Sequence, residues 1–172
     1  NFIIISTILL FYLIPFYYNR IIEIFKFYNS NIKNFLLIFS TCLLIFMIDK
    51  FFYDIINFDS KLGGWVFVKF LKILNINYEI ILLAIFCLSL LTIDYICKEN
   101  RLKNYSLLLI LVLCFPMTII YQKYLDPLFF VIFFGLIESE SLKKILNNKS
   151  IKLISLYLYF TLFFIFSVNY YL

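Results

Sequence analysis

Six long apolar runs, separated by short charged connections, limit what this chain can fold into. They lie at 2–18, 35–48, 80–97, 106–121, 128–137 and 153–172. Inside a bilayer no water satisfies the backbone, so only helices and closed barrels cross it. A barrel strand alternates apolar and polar residues, and these runs do not alternate. The fold class expected is therefore all-α. The chain reads as a polytopic membrane helical bundle of about six transmembrane helices, in a single transmembrane domain over 1–172. Composition agrees: 65% of residues are apolar and 15% charged. Soluble domains carry roughly 45–50% and about 25%.

A helix needs about 20 residues to cross the hydrocarbon core. The first, third and sixth runs come close to that length. The second reaches it by continuing into Asp49–Phe58. The fourth and fifth are short and are separated only by Gln122–Pro127, which predicts an antiparallel hairpin whose second helix is short or tilted. The chain starts at Asn1 rather than Met, and its apolar run begins at Phe2. With no basic leader and no small-residue cleavage site, that run is not read as a signal peptide. The chain is expected to be the C-terminal part of a longer protein.

Basic residues orient the bundle. Connections 19–34, 98–105 and 138–152 hold ten: Arg20, Lys26, Lys33, Lys98, Arg101, Lys103, Lys143, Lys144, Lys149 and Lys152. Connections 49–79 and 122–127 hold five: Lys50, Lys61, Lys69, Lys72 and Lys123. Basic residues favour the cytoplasmic side, so 49–79, 122–127 and both chain ends are expected outside. The location expected is a cell membrane, multi-pass, with the bacterial inner membrane the best fit. The net charge of +5 is then a topology signal, and no nucleic-acid partner is expected. Membrane lipid is.

Several chemistries are excluded. The chain has no histidine, so His-ligated haem and Ser-His-Asp catalysis are absent from it. Its glycines are Gly63, Gly64 and Gly135, too few for a Gly-rich phosphate loop. Cys42, Cys87, Cys97 and Cys114 lie in or at the edge of apolar runs and have no zinc or disulfide spacing. Buried thiols there behave as small apolar groups. No metal and no cofactor are expected. The 23 Phe and 14 Tyr accompany 13 Lys against 2 Arg and 13 Asn. That bias matches AT-rich codons and is not read as an aromatic binding surface.

Three segments carry polar groups worth weighing. The connection 49–79 opens with Asp49, Asp54 and Asp59, followed by Gly63-Gly64-Trp65. Within Trp65–Leu74, Lys69 and Lys72, continued by Asn75, make one polar stripe, the pattern of an outer interfacial amphipathic helix. It is either a surface connector or a border to a lipid-substrate site. Asp94 is the most deeply placed acid. Charged groups inside spans are costly and are often functional. Lys98 follows at helix ion-pair spacing, so an interfacial Asp94–Lys98 pair is favoured over an ion-pathway carboxylate. The third segment is Tyr121-Gln122-Lys123-Tyr124-Leu125-Asp126-Pro127. Asp126 before Pro127 is a helix start, with Asp capping free N–H groups and Pro suited to the first turn. Capping does not account for Gln122, Lys123 and Tyr124, a cation with amide and phenol groups fit to meet a phosphate or a sugar hydroxyl. Pro116 is placed to kink the helix before the turn.

That turn, continued by Leu128 and Phe129, resembles the aromatic-basic-Tyr-x-x-Pro turn of polytopic glycosyltransferases of the GT-C superfamily. Lys123 stands for the basic residue, Tyr124 for the aromatic and Pro127 for the proline. The resemblance covers about ten residues and the general multi-span layout. It implies a glycosyltransferase acting at the outer face on a polyprenyl-phosphate-linked sugar, with Gln122, Lys123, Tyr124 and Asp126 as substrate-binding residues. The family's catalytic acids lie in an early outer loop that no segment here matches, so no catalytic residue is assigned. The other reading is a multi-pass transporter, flippase or polysaccharide-export component. A respiratory-complex subunit is disfavoured, because no His and no mid-span Lys or Glu is present to carry protons.

Overall fold

A computed structural model describes residues 2–52, 78–115, 127–147 and 151–171. Those residues are helical, with no strand among them. Helix α1 covers Phe2–Tyr17, a single 3-10 turn covers Tyr18–Arg20, and α2 covers Ile21–Ser30. Then come α3 (Ile32–Phe52), α4 (Tyr78–Cys97) and α5 (Arg101–Leu113). Helix α6 covers Pro127–Leu136, with Val131–Leu136 wound as π-helix. Helices α7 (Glu140–Asn147) and α8 (Ile151–Tyr171) follow.

Three stretches are long and apolar enough to cross a membrane: Phe2–Ser30, Ile32–Phe51 and Ile80–Cys97. At 1.5 Å per residue, α3 and α4 are each about 30 Å long, the thickness of a hydrocarbon core. Helix α3 exposes Leu36, Leu37, Leu43, Leu44, Met47, Ile48 and Phe51. Such a face is stable only against lipid or another apolar surface. By length and composition these three stretches are candidate membrane-spanning helices.

Side-chain contacts fix the helix directions. Phe2 meets Phe86 edge-on and Ser89 Oγ donates to the Ser6 carbonyl, so α1 and α4 run parallel. Cys42 packs beside Phe86 and Cys87, while Tyr28, just before α3, reaches Leu91 and Asp94. Helix α3 is thus antiparallel to α4. Tyr105 reaches Asp94, which makes α5 antiparallel to α4. Tyr12 stacks on Phe129 at 4.8 Å and Phe16 meets Phe134 at 5.3 Å, so α6 runs parallel to α1. Small residues at the α1–α4 contact let the two backbones approach.

The connection 19–34 is not irregular. That segment is helical, and α2 joins the end of α1 to the start of α3, both at the same end of α4. Ile24 and Tyr28 are buried there, and Phe27 meets Tyr95. A continuous helix over Phe2–Ser30 would be about 44 Å long. The 3-10 turn at Tyr18–Arg20 breaks it, and α2 lies across the bundle end. The antiparallel hairpin of α5 and α6 is present: Asn104 at the start of α5 holds Glu138 just past α6. The segment Trp65–Leu74 and Asp54, Asp59 and Pro116 lie outside the described residues.

Candidate functional site

The described polar groups gather at the bundle end where α1 and α4 finish and α3 and α5 begin. Asp94 sits in the last turn of α4 with 7% of its surface exposed. The Tyr28 hydroxyl, from α2, donates to its Oδ2 at 2.7 Å and also approaches the Leu91 carbonyl at 3.0 Å. The Tyr105 hydroxyl, from α5, donates to Oδ1. Each carboxylate oxygen thus accepts from a phenol on a different helix. Lys98 is turned away: its Nζ lies 4.0 Å from the Tyr95 ring centre and 5.2 Å from that of Phe27. The expected Asp94–Lys98 pair is therefore replaced. The chain leaves helical geometry after Cys97, so the i+4 neighbour no longer lies over Asp94, and the ammonium finds aromatic faces instead.

A second cluster closes the same end. Asn104 is fully buried. Its Nδ2 donates to the Glu138 carbonyl at 2.9 Å, and its Oδ1 accepts from the Glu138 N–H at 3.1 Å. That bidentate contact satisfies both backbone groups of Glu138 where the chain turns extended at Ile137. The Glu138 carboxylate receives Lys103 and the Asn100 amide. Lys103 and Asn100 hold it below the ordinary carboxylate range, although it is exposed. Ser139 starts α7, its carbonyl accepting from Lys143 N–H at 3.1 Å. The Glu99 carboxylate accepts the Glu140 N–H at the same helix start, a favourable place for negative charge. Ser139 Oγ, Ser141 Oγ and the Tyr17 hydroxyl form a buried chain with spacings of 2.7 and 3.0 Å.

Three basic connections thus meet at one end through Tyr17, Tyr28, Asp94, Asn104 and Glu138. Chemically the assembly is closed. Asp94 has both oxygens occupied, Asn104 is saturated by backbone, and no group of three metal-ligating side chains occurs among the described residues. It fixes helix ends.

The chain matches no family model, no curated protein and no solved structure.

Of the residues singled out from sequence, Gln122, Lys123, Tyr124 and Asp126 lie outside the described residues. Pro127 is the first described residue of α6, and the helix start expected at Asp126-Pro127 involves residues outside that description. The ten described residues of α6 cover about 15 Å, half a hydrocarbon core. Its register against Tyr12 and Phe16 sets Pro127 beside the middle of α1. Sequence reasoning passed over Tyr28, Tyr105, Asn104 and Glu138. Asn104 alone gave a signal, an amide two residues before the start of an apolar run. Nothing local marked the two tyrosines among 14.

Proposed function

We propose that this chain is the transmembrane part of a glycosyltransferase that takes a sugar from a polyprenyl-phosphate donor at the outer face. One observation supports the reading: Pro127, directly after the turn in sequence, stands level with the middle of α1 through the register of Phe129 on Tyr12 and Phe134 on Phe16, well below the far end of the bundle. Lys123 precedes Pro127 by four residues. In this reading its ammonium meets the donor phosphate beneath the headgroups, where water is scarcer and charge attraction is stronger. Gln122 and Tyr124 offer amide and phenol groups to the phosphate or sugar, and Asp126 caps α6 while facing the same ligand. Transfer needs a carboxylate to take the acceptor's proton and a cation to stabilise the leaving phosphate. Lys123 fills the second role. The six-span count and the outer interfacial helix at Trp65–Leu74 belong to this proposal, as does a multi-pass place in a bacterial inner membrane.

The same depth also favours a second reading, a transporter or flippase, since transporters place their sites near the bilayer midplane. Reconstituting the full-length protein with a polyprenyl-phosphate sugar separates the two. A transferase moves the sugar to an acceptor, and a flippase moves the intact lipid across the bilayer. Under the transferase reading Lys123→Ala lowers transfer or raises KM for the donor, while Lys123→Arg retains part of the activity. A Lys123→Ala protein that inserts normally and transfers at the wild-type rate sinks the ligand role.

A further inference from the structure

The helix α2 that lies across the charged end has three distinct arcs. Ile24, Phe27 and Tyr28 face α4, through Tyr28 on Leu91 and Asp94 and Phe27 on Tyr95. Next to that arc, at helical spacing, come Ile21, Phe25 and Ile22, with Ile22 64% and Phe25 52% exposed and the exposed Asn29 between them in the last turn. Beyond them lie Lys26, Ser30 and Glu23, all exposed. Ile22 and Lys26 are i,i+4 neighbours, so they stack on the helix surface. Among the described residues Glu23 pairs with Arg20, and neither Lys26 nor Lys33 has a carboxylate within ion-pair distance. Lys33 is exposed on the first turn of α3.

We infer that α2 is a binding site for an anionic phospholipid of the leaflet at this end. The apolar arc takes the upper acyl chain against Ile22 and Phe25. Lys26 takes the phosphate, and Lys33 adds charge on the same connection. The occupant follows from charge complementarity and depth. An amphipathic helix fixed in the interface by its protein-facing arc leaves its next arc against acyl chains and its polar arc, with Lys26, at headgroup level. Lysine reaches that level along an apolar stem. A zwitterionic headgroup offers phosphate with a cation beside it, whereas an anionic one leaves the phosphate charge for lysine.

The protein is placed in nanodiscs of equal phosphatidylcholine and phosphatidylglycerol, and the lipids kept after gentle detergent release are counted by native mass spectrometry. Phosphatidylglycerol is expected to be enriched over its bulk share. Each basic residue near an anionic surface strengthens association about fivefold. Lys26→Gln should therefore cut the enrichment by up to about fivefold, the double variant with Lys33→Gln should bring it to the bulk ratio, and Lys26→Arg should keep it. Phe25→Ser should lower the number of retained lipids without changing their ratio. Lys143→Gln with Lys144→Gln, on α7, should leave the enrichment unchanged. Wild type retaining both lipids in bulk proportion overturns the site, whatever the variants do. So does a helical double variant with wild-type enrichment, or an equal loss from the α7 variant, which would make the effect one of general charge.

Discussion

The Tyr159 hydroxyl donates to the Phe11 carbonyl at 3.1 Å, and Pro15 is the reason that carbonyl is open. Proline lacks the N–H that would bond the carbonyl four residues back. Pro15 lies inside α1, so Phe11 O loses its helical partner in an apolar setting where water cannot replace it. The phenol from α8 supplies the bond. The Tyr159 ring packs at 5.2 Å from Phe11, and Phe163 at 4.8 Å. A break in one helix thus becomes the docking point of another.

Tyr159→Phe keeps the ring contacts and removes the donor. Interhelical hydrogen bonds in membranes contribute about 0.6 kcal/mol on average, and a loss of that order is expected in reversible unfolding from mixed micelles. In a Pro15→Ala background the Phe11 carbonyl regains its N–H, so the same substitution should cost clearly less. Equal costs in both backgrounds would show that the bond does not depend on the proline.

Asp94 holds α2 and α5 to α4 through separate oxygens. Asp94→Leu leaves the Tyr28 and Tyr105 hydroxyls without that acceptor, and an unsatisfied buried polar group costs about 1–3 kcal/mol. Tyr28→Phe, deeper and fully within the bundle, should be more damaging than Tyr105→Phe at the half-exposed side. Combining either with Asp94→Leu should add little. Additive losses across the pairs would contradict a shared hub.

Glu138 is held below the ordinary carboxylate range by Lys103 and Asn100. A carboxylate lowered in the folded state stabilises above its unfolded value, and that contribution disappears as pH falls through its folded value. The fold should therefore loosen slightly on acidification through and below the ordinary carboxylate range. Glu138→Gln should flatten this part of the pH profile of unfolding. Because the pair is solvent-exposed, high salt should shrink the effect. A variant with the wild-type acid profile would assign the loosening to another group.

Single cysteines introduced into a cysteine-free protein at Lys26, Lys103 and Lys143 should react with an impermeant maleimide from the same side of the membrane. A cysteine at Ser60 should react from the opposite side. Labelling at Ser60 from the cytoplasmic side would reverse the orientation drawn from the basic residues. Labelling of Lys26 and Lys103 from different sides would contradict the meeting of the three connections at one end.

The sequence by itself determined the helical class and the presence of helices long and apolar enough to span a membrane, because apolar runs of span length admit few other solutions. The grouping of the three basic connections could be read from charge alone, and the hydrogen bonds of Tyr17 with Ser141 and of Asn104 with Glu138 gather the chain at those same connections. Tertiary structure decided the partners. Local spacing offered Lys98 to Asp94, but the helix ends at Cys97, and phenols 66 residues before and 11 residues after Asp94 occupy the carboxylate instead. Helix α2 reads locally as a polar connection; only the parallel run of α1 and α4, with α3 returning, lays it across the bundle end. A saturated polar contact depends on which distant groups arrive together, and a hydrophobic run of a given length does not encode that arrival.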